Sequence, residues 1–477
     1  MSQVQTVAKP RRTVELFLLI LALGLGIFAN ALVNINLNRP FDSDFYSQAA
    51  VLAVLAFGMH VSLRFKAKYA DPVILPVVVA LNGIGLAMIH RLDIATGDTA
   101  GPRQWLWTSL AVVAAIAVLW FLRDHRILRR FTYISLIVSV VLLILPLVPG
   151  ISAGDVNGAN VWIRIGGSTF QPGEVAKITL AIFFAGYLSS NRDLILLAGK
   201  KVGPLQLPRA RDLGPMIVAW LASVGVLVFQ HDIGTSVLFF GLFLTMIYVA
   251  TSRVSWVVIG VVLIAVGGFL AAKIFPHVSA RIDVWANAFN PEVISGGGYQ
   301  VVQGLFGMAN GGMIGTGLGK GRPDMVPLAN SDMIIASLGE ELGLIGLFAV
   351  VLLFVLLITR GFRAALGTRD AFGKLLACGL SFAIALQCFI VIGGVTRLIP
   401  LTGLTTPFMA AGGSSLLANW IIVALLLLIS DAARRPISTS AAVDDAGPHA
   451  VRGRQRMRNE TDGVPAREAP IEAVETP

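Results

Sequence analysis

Apolar runs of about twenty residues, separated by short polar segments, recur along the whole sequence and restrict its fold more than any other feature. A helix of about twenty apolar residues crosses about 30 Å of hydrocarbon, where every backbone polar group needs a partner within the protein. Only 13% of the 477 residues are charged, whereas soluble domains are about one-quarter charged. The sequence therefore predicts an all-α, polytopic membrane protein.

About twelve transmembrane helices are predicted from the apolar runs. The first run follows three basic residues, but it is longer than the core of a signal peptide and lacks a small-residue cleavage site, so we interpret it as a retained helix. The predicted helices cover residues 15–36, 46–63, 72–90, 104–122, 132–149, 174–190, 213–230, 234–250, 255–275, 333–360, 374–395 and 407–430.

The basic loops of this arrangement all fall on one side of the membrane. The positive-inside bias places that side, with both termini, in the cytoplasm, and it explains the net charge of +10 without a nucleic-acid partner. The predicted organisation is a cytoplasmic N-terminus (1–14), a transmembrane domain (15–430) and a polar, disordered cytoplasmic tail (431–477). Two long segments, 150–173 and 276–331, would then be extracytoplasmic, and loops of that length are usually functional.

Ionisable residues at the ends of membrane helices are costly and therefore mark candidate sites. Glu174 and Lys177 are spaced i, i+3 and could form a structural ion pair, bind substrate, or do both. Asp232 is predicted to cap the helix that follows it rather than to react. Glu340 and Glu341 point about 100° apart on a helix, so at least one should accept a hydrogen bond from a neighbouring segment.

Three further features limit the chemistry. Arg397 precedes a glycine- and serine-rich run, 412–415, which suits a diphosphate, although close helix packing explains the glycines equally well. The segment GTGLGKGRPD matches neither a dinucleotide fingerprint nor a P-loop. Cys378 and Cys388 lie about 15 Å apart on one helix, too far for a disulfide, and no His/Cys spacing predicts a metal site built by the protein.

Five motifs occur in a fixed order, and together they resemble the SEDS family (shape, elongation, division and sporulation; FtsW, RodA and SpoVE) on its RodA branch. The resemblance covers about residues 130–432, and the two extra N-terminal helices look like those of the longer actinobacterial RodA proteins. The motifs are GANVWIRIGGSTFQPGEVAKI, QHDIGTS, GGGYQVVQGLFGMANGGMIGTGLGKG, SDMIIASLGEELGLIG and PLTGLTTPFMAAGGSSLLAN.

The resemblance implies a peptidoglycan glycosyltransferase that polymerises lipid II, the undecaprenyl-diphosphate-linked disaccharide peptide, for cell elongation and shape. It also implies a class B penicillin-binding protein as partner, and a divalent cation, Mg²⁺ or Mn²⁺, could assist at the diphosphate. Such chemistry needs a carboxylate as general base and positive charge for the leaving diphosphate. The positions implied for substrate binding are Arg164, Gln171, Glu174, Lys177, Arg281, Tyr299, Gln300, Gln303, Arg397, Ser414 and Ser415.

One mismatch concerns the catalytic group itself. The family pattern is approximately DPxxDPxGxGYQ, with the second aspartate taken as catalytic, whereas this chain reads NAFNPEVISGGGYQ. Asn290 is the nearest match, and an amide cannot act as a general base near neutral pH. We therefore hypothesise that Glu292 takes the role, with Asp283 as the alternative; loss of catalytic activity is the third outcome.

Two other function classes stay open at this point. A flippase or transporter for a polyprenyl-linked precursor would distribute charges through the membrane depth, whereas the charges here collect towards the predicted outer side. A non-catalytic scaffold for a class B penicillin-binding protein would account for the missing aspartate. Product formation from lipid II separates these alternatives from the glycosyltransferase.

Overall fold

The computed structural model describes residues 10–436 apart from residues 156–157, 198, 203–204 and 209, and helices dominate it. The helices are α1 (Arg12–Asn36), α2 (Ser43–Lys66), α3 (Ile74–Thr96), α4 (Ala100–Phe121), α5 (Thr132–Ile144), α6 (Pro172–Leu197), α7 (Ala210–Phe229), α8 (Ile233–Thr251), α9 (Ser255–Ile274), α10 (Pro276–Ala286), α11 (Pro291–Val293), α12 (Tyr299–Gly311), α13 (Ile334–Gly367), α14 (Ala371–Val395) and α15 (Gly413–Arg434).

The prediction of a polytopic helical membrane protein is confirmed. Each of the twelve predicted spans coincides with a helix, and in the part of the chain that the structure describes ten helices are long and apolar enough to cross a membrane. The other two predicted spans correspond to α6, whose first turns carry Glu174 and Lys177, and to α7, whose described apolar part is Gly214–Phe229.

Two short antiparallel hairpins were not predicted. Strands β1 (Ile163–Ile165) and β2 (Ser168–Phe170) are joined by Gly166 and Gly167, which both have positive φ, as a type I′ hairpin turn requires. Strands β3 (Gly199–Val202) and β4 (Leu205–Pro208) pair between α6 and α7. These strands are three or four residues long, too short for alternation to reveal them in the sequence.

The two predicted terminal segments, 1–14 and 431–477, extend beyond the described residues. Within the described part, α1 already begins at Arg12, and α15 continues through Asp431 to Arg434, so both predicted boundaries differ from the structure by a few residues. At the C-terminal boundary the reason is tertiary, because buried Asp431 accepts a hydrogen bond from the Tyr69 backbone N–H at 2.7 Å. Residues 437–477 of the predicted tail lie outside the described residues.

Helix α1 packs mainly against α3, and glycines allow the close crossing. A Cβ added to Gly26 would lie 3.0 Å from the Cα of Gly83, and one added to Gly83 would lie 2.9 Å from the Cα of Gly26. Small residues let membrane helices approach closely and gain dispersion contacts. Helix α1 is therefore part of the packed bundle.

Helix α13 is broken at Gly343, and the break creates room for a loop. Gly343 has φ of 68° and ψ of −174°, outside the helical region. The residues that follow α12 pair with the broken turn, because Leu344 N–H donates to the Gly312 carbonyl at 2.9 Å and Thr316 N–H donates to the Glu340 carbonyl at 3.0 Å. Glu340 and Glu341 are buried at this junction.

Candidate functional site

A cavity of about 490 Å³, with both polar and apolar lining residues, lies where the ends of several helices and loops converge. Its wall combines residues from the β2–α6 junction, the α7–α8 turn, α10, the segment before α12, the loop before α13 and the α14–α15 connection. Five polar side chains of this wall are considered in turn below. They are Gln171, Asp232, Arg281, Gln300 and Asp332.

Asp332 is the most deeply buried carboxylate in the cavity wall, with 8% of its surface exposed. Its carboxylate accepts hydrogen bonds from the Ser331 hydroxyl at 3.0 Å and from Gln300 Nε2 at 3.5 Å. Burial raises the pKa of Asp332, and these hydrogen bonds and the charge of Arg281 act in the opposite direction. A carboxylate with a raised pKa is a better proton acceptor than an ordinary one.

Asp232 is the second carboxylate of the cavity. Its side chain accepts a hydrogen bond from the Thr235 backbone N–H at 2.9 Å, which confirms the predicted cap of α8. Burial raises the pKa of Asp232, while the hydrogen bonds from Thr235 and the charge of Arg281 act against that rise. The cap uses Oδ1 of the Asp232 carboxylate, and the same residue also lines the cavity.

Arg281 supplies the positive charge of the cavity wall. It projects from α10 and donates from NH1 to the Leu401 carbonyl at 3.2 Å. Its charge acts on both Asp232 and Asp332. One guanidinium and two carboxylates thus share the wall of a partly buried cavity, where charge interactions are stronger than in bulk water.

Glu292 and Asp283, the predicted general bases, are both exposed and neither belongs to the cavity wall. Arg281 and Val284 of α10 line the cavity. Successive residues of an α-helix are rotated by about 100°, so Asp283 points to nearly the opposite side of α10 from Arg281. Asp283 instead accepts a hydrogen bond from Asn287 at 2.7 Å. This geometry supports neither Glu292 nor Asp283 as the general base, and both assignments remain predictions.

Asn290, which occupies the expected aspartate position, has a structural role. Its side chain accepts a hydrogen bond from the Glu292 backbone N–H at 3.2 Å and so caps the short helix α11. The glycines that follow, Gly296 and Gly297, reach the cavity wall. Gly297 has φ of 120°, a conformation that a side chain would strain.

Arg397 lies outside the cavity wall and binds backbone carbonyls. Its Nε donates to the Trp285 carbonyl at 2.7 Å and its NH2 to the Ala286 carbonyl at 2.9 Å, while Trp285 Nε1 donates to the Arg397 carbonyl at 3.1 Å. Carbonyls at a helix C-terminus carry partial negative charge and favour a cation. Arg397 therefore holds the end of α10, and Arg281 is the arginine that faces the cavity.

Glu174 and Lys177 form the predicted ion pair, and a third residue completes it. Lys177 Nζ lies 2.8 Å from Glu174 Oε2 and donates to Gln387 Oε1, also at 2.8 Å. Gln387 Nε2 then donates to the Thr405 carbonyl at 3.0 Å. Because Thr405 lines the cavity, this buried network supports the wall from behind. Gln387 was not singled out in the sequence, where it is one polar residue inside an apolar helix.

Glu340 and Glu341 both accept hydrogen bonds from neighbouring segments, as expected for at least one of them. Glu340 Oε1 accepts from the Arg322 backbone N–H at 2.8 Å and from Asn310 Nδ2 at 3.2 Å. Glu341 Oε1 accepts from Arg91 Nε at 2.8 Å. Both carboxylates thus anchor loops. Arg91 was missed because the predicted span ends at residue 90, which places Arg91 in a loop, whereas α3 continues to Thr96.

The remaining predicted binding residues are dispersed. Arg164 and Tyr299 are exposed, and Gln303 is half-buried on α12. Ser414 and Ser415 are buried at the start of α15, where Ser415 Oγ accepts from Asn419 at 3.2 Å. None of these five lines the cavity. The neighbouring Gly413 packs against Trp107, since a Cβ there would lie 2.2 Å from the ring, which favours the packing interpretation of the glycine run.

No group of three or more His, Cys, Asp or Glu side chains that could hold a metal ion occurs among the residues that the structure describes. Cys378 and Cys388 are both buried free thiols.

Comparisons with known proteins agree on one family. The family model FTSW_RODA_SPOVE, described as a cell cycle protein, matches residues 72–435. Peptidoglycan glycosyltransferase RodA of Mycobacterium tuberculosis is 48% identical over 436 residues, covering 90% of this chain and 92% of that protein. The Mycobacterium leprae protein of the same name is 47% identical over 444 residues, covering 91% and 94%.

A solved structure supports the fold. A chain from a peptidoglycan synthase complex superposes with a TM-score of 0.62 at 24% identity, covering 76% of this chain and 97% of that chain. At this level of identity the likeness concerns the fold alone. The fold and the family thus rest on separate comparisons that agree.

Proposed function

Because the chain belongs to the FtsW, RodA and SpoVE family, we infer that it is a peptidoglycan glycosyltransferase and propose that it polymerises lipid II into glycan strands for cell elongation and shape. The observation that carries the proposal is the cavity whose wall contains Arg281, Asp232 and Asp332. Its volume of about 490 Å³ falls within the usual range of ligand sites.

The reaction transfers a glycosyl group from a lipid diphosphate to a sugar hydroxyl. The acceptor oxygen bonds to the anomeric carbon, the bond from that carbon to the diphosphate oxygen breaks, and the electron pair leaves with the diphosphate. We assign Asp332 as the base that takes the hydroxyl proton, because both cavity carboxylates have a raised pKa but Asp332 is the less exposed of the two and Asp232 caps α8. Arg281 stabilises the negative charge that develops on the diphosphate.

Other polar groups of the wall position the substrate. Gln171 and Gln300 line the cavity and can bind sugar hydroxyls and amides. A divalent cation fits here only in part: Mg²⁺ commonly uses one or two carboxylates together with substrate phosphates, and Asp232 is the carboxylate that would hold it. When bound, such a cation would neutralise charge on the diphosphate.

The proposed setting is the cytoplasmic membrane, with both termini in the cytoplasm and the cavity on the outer face. The basic loops support this orientation through the positive-inside bias. A class B penicillin-binding protein is the proposed partner, since the solved structure with the same fold comes from a peptidoglycan synthase complex. Cross-linking by that partner would follow polymerisation by this chain.

Purified protein assayed with lipid II tests the function and the base together. Asp332→Asn should lower the polymerisation rate about 10²- to 10⁴-fold, the usual contribution of a general base, whereas Asp98→Asn, in an exposed loop, should not. Because the pKa of Asp332 is raised above 3.8, the wild-type rate should fall on acidification at a higher pH than an ordinary aspartate would give.

The outcomes discriminate among the alternatives. If Glu292→Gln is inactive while Asp332→Asn keeps full activity, the general base is Glu292 and not Asp332. If Asp283→Asn is inactive while Asp332→Asn keeps full activity, the general base is Asp283. Lipid translocation in liposomes without glycan product would support a flippase. Neither product nor translocation, with normal binding of a class B penicillin-binding protein, would support a scaffold.

A further inference from the structure

The two N-terminal helices lie outside the region that defines the family, since the family model begins at residue 72. The end of α1 nevertheless reaches the connection between α12 and α13, residues 312–333, which we call the 312–333 loop. Asn36, the last residue of α1, donates from Nδ2 to the Leu318 carbonyl at 2.6 Å. Leu318 itself is buried. Helix α1 therefore touches the loop through a directed hydrogen bond.

The adjacent glycine shows how closely α1 and the loop fit. Gly319 has φ of 84°, and a Cβ added there would lie 3.1 Å from Asn36 Cβ and 3.3 Å from the Val33 carbonyl oxygen. On the other side, the Gly319 backbone N–H donates to Glu341 Oε2 at 2.9 Å. The loop is thus held between α1 and the buried carboxylate of α13.

Helix α3 completes this attachment. Arg91, only 3% exposed, donates from Nε to Glu341 Oε1 at 2.8 Å and from NH2 to the Gly321 carbonyl at 2.6 Å. The neighbouring His90 contacts Asn34 Oδ1 through Nε2 at 3.1 Å, which joins the end of α1 to α3. The hydrogen bonds of Arg91 are charge-assisted, and such bonds are about twice as strong as those between neutral groups.

The same loop continues into the cavity wall, where it contributes Leu328, Ser331 and Asp332. We propose that Asn36 is a positioning residue: through it, α1 braces the 312–333 loop and holds Asp332 in the cavity. The catalytic part of this inference rests on the proposed function, whereas the bracing of the loop does not. The extra N-terminal helices would thereby contribute to catalysis without contacting substrate.

Two variants of the brace and one matched control test the proposal. Asn36→Ala removes the hydrogen bond, and Gly319→Ala forces the loop away from α1. Gly317→Ala is the control, because Gly317 also has positive φ, 97°, but its Cβ would meet only the flexible Lys320 side chain at 3.5 Å. The two glycine variants share the backbone strain, so their difference reports the contact with α1.

Hydrogen exchange of the full-length protein in detergent provides the first readout. Asn36→Ala and Gly319→Ala should speed exchange in the 312–333 loop beyond the effect of Gly317→Ala, with the rest of the chain unchanged. The second readout is lipid II polymerisation. Loss of one hydrogen bond should lower kcat about two- to tenfold, with KM changed less than twofold and the unfolding midpoint retained.

Unchanged loop exchange in both brace variants would overturn the proposal whatever the activity. A general loss of protection together with a lowered unfolding midpoint would also overturn it, because that pattern indicates a purely structural contact. Faster loop exchange with normal kcat would refute the link to Asp332. If the wild-type protein makes no glycan, only the proposed function is refuted, because the hydrogen-exchange comparison needs no substrate.

Discussion

Replacing Lys177 by Met should destabilise the protein strongly, because it leaves buried polar groups without their partner. Lys177 and Glu174 are 1% and 6% exposed, respectively, at the side chain, and Gln387 is fully buried. Two unit charges 2.8 Å apart attract by about 6 kcal/mol at an effective dielectric constant of about 20. Desolvation of both ions offsets much of this attraction in the intact protein, so the pair itself contributes little net stability.

The variant removes the attraction but not the desolvation of Glu174. Breaking a buried pair in this way costs about 3–5 kcal/mol, and Gln387 Oε1 also loses its donor, which adds about 1 kcal/mol or more. We therefore expect a loss of about 4–6 kcal/mol. The double variant Glu174→Gln/Lys177→Met should recover most of this loss, because no uncompensated ion is left in the interior.

Unfolding by sodium dodecyl sulfate in mixed micelles, followed by tryptophan fluorescence, measures these differences. Lys273→Met is the matched control, since Lys273 is exposed at the end of α9 and should change stability by about 0.5 kcal/mol or less. The reasoning is refuted if Lys177→Met is no more destabilising than Lys273→Met. It is refuted equally if the double variant is less stable than Lys177→Met alone.

Two further predictions concern residues around the same bundle. Gln387→Leu should cost about 1–3 kcal/mol and raise KM for lipid II, because the Thr405 carbonyl in the cavity wall loses its donor; steady-state kinetics with an unchanged KM would contradict this. At Asp370, burial alone would raise the pKa, but hydrogen bonds from His125 and the Gly373 backbone, with the charges of His125 and Arg126, lower it to about 2. The folded pKa lies below the ordinary 3.8, so the ionised group stabilises the protein above that pH and this contribution is lost as the pH falls towards 2. Asp370→Asn should therefore lower the unfolding midpoint at pH 7 and do so less at pH 2.5; an equal effect at both values would show that the charge is irrelevant.

Local sequence patterns were sufficient for much of the architecture. All twelve predicted spans coincide with helices, because apolar length acts within one segment and needs no knowledge of its neighbours. The cap at Asp232 and the ion pair of Glu174 and Lys177 were predicted for the same reason, since their partners lie within four residues. The hairpins were not predicted because their strands are too short to show alternation. The break at Gly343 was not predicted because a loop from an earlier segment pairs with the broken turn.

The roles of the charged residues depended on partners far away in the chain. Arg397 was expected to meet a diphosphate but binds carbonyls of residues 285 and 286, more than a hundred positions earlier. Gln387 and Arg91 connect segments that are 210 and 250 residues apart, and no spacing in the sequence indicates such contacts. Glu292 was the nearest carboxylate in sequence, yet Asp332 and Asp232 are the ones that line the cavity.

The sequence by itself determined that this chain is a helical membrane protein of a glycosyltransferase family, since hydrophobic length and ordered motifs are properties of local segments. Only the tertiary structure decided which carboxylates line the same cavity as Arg281, which charges anchor loops, and that α1 reaches the 312–333 loop. The physical reason is that a cavity forms where the ends of separate helices converge. Their packing, and not the order of residues along the chain, sets the distances that chemistry requires.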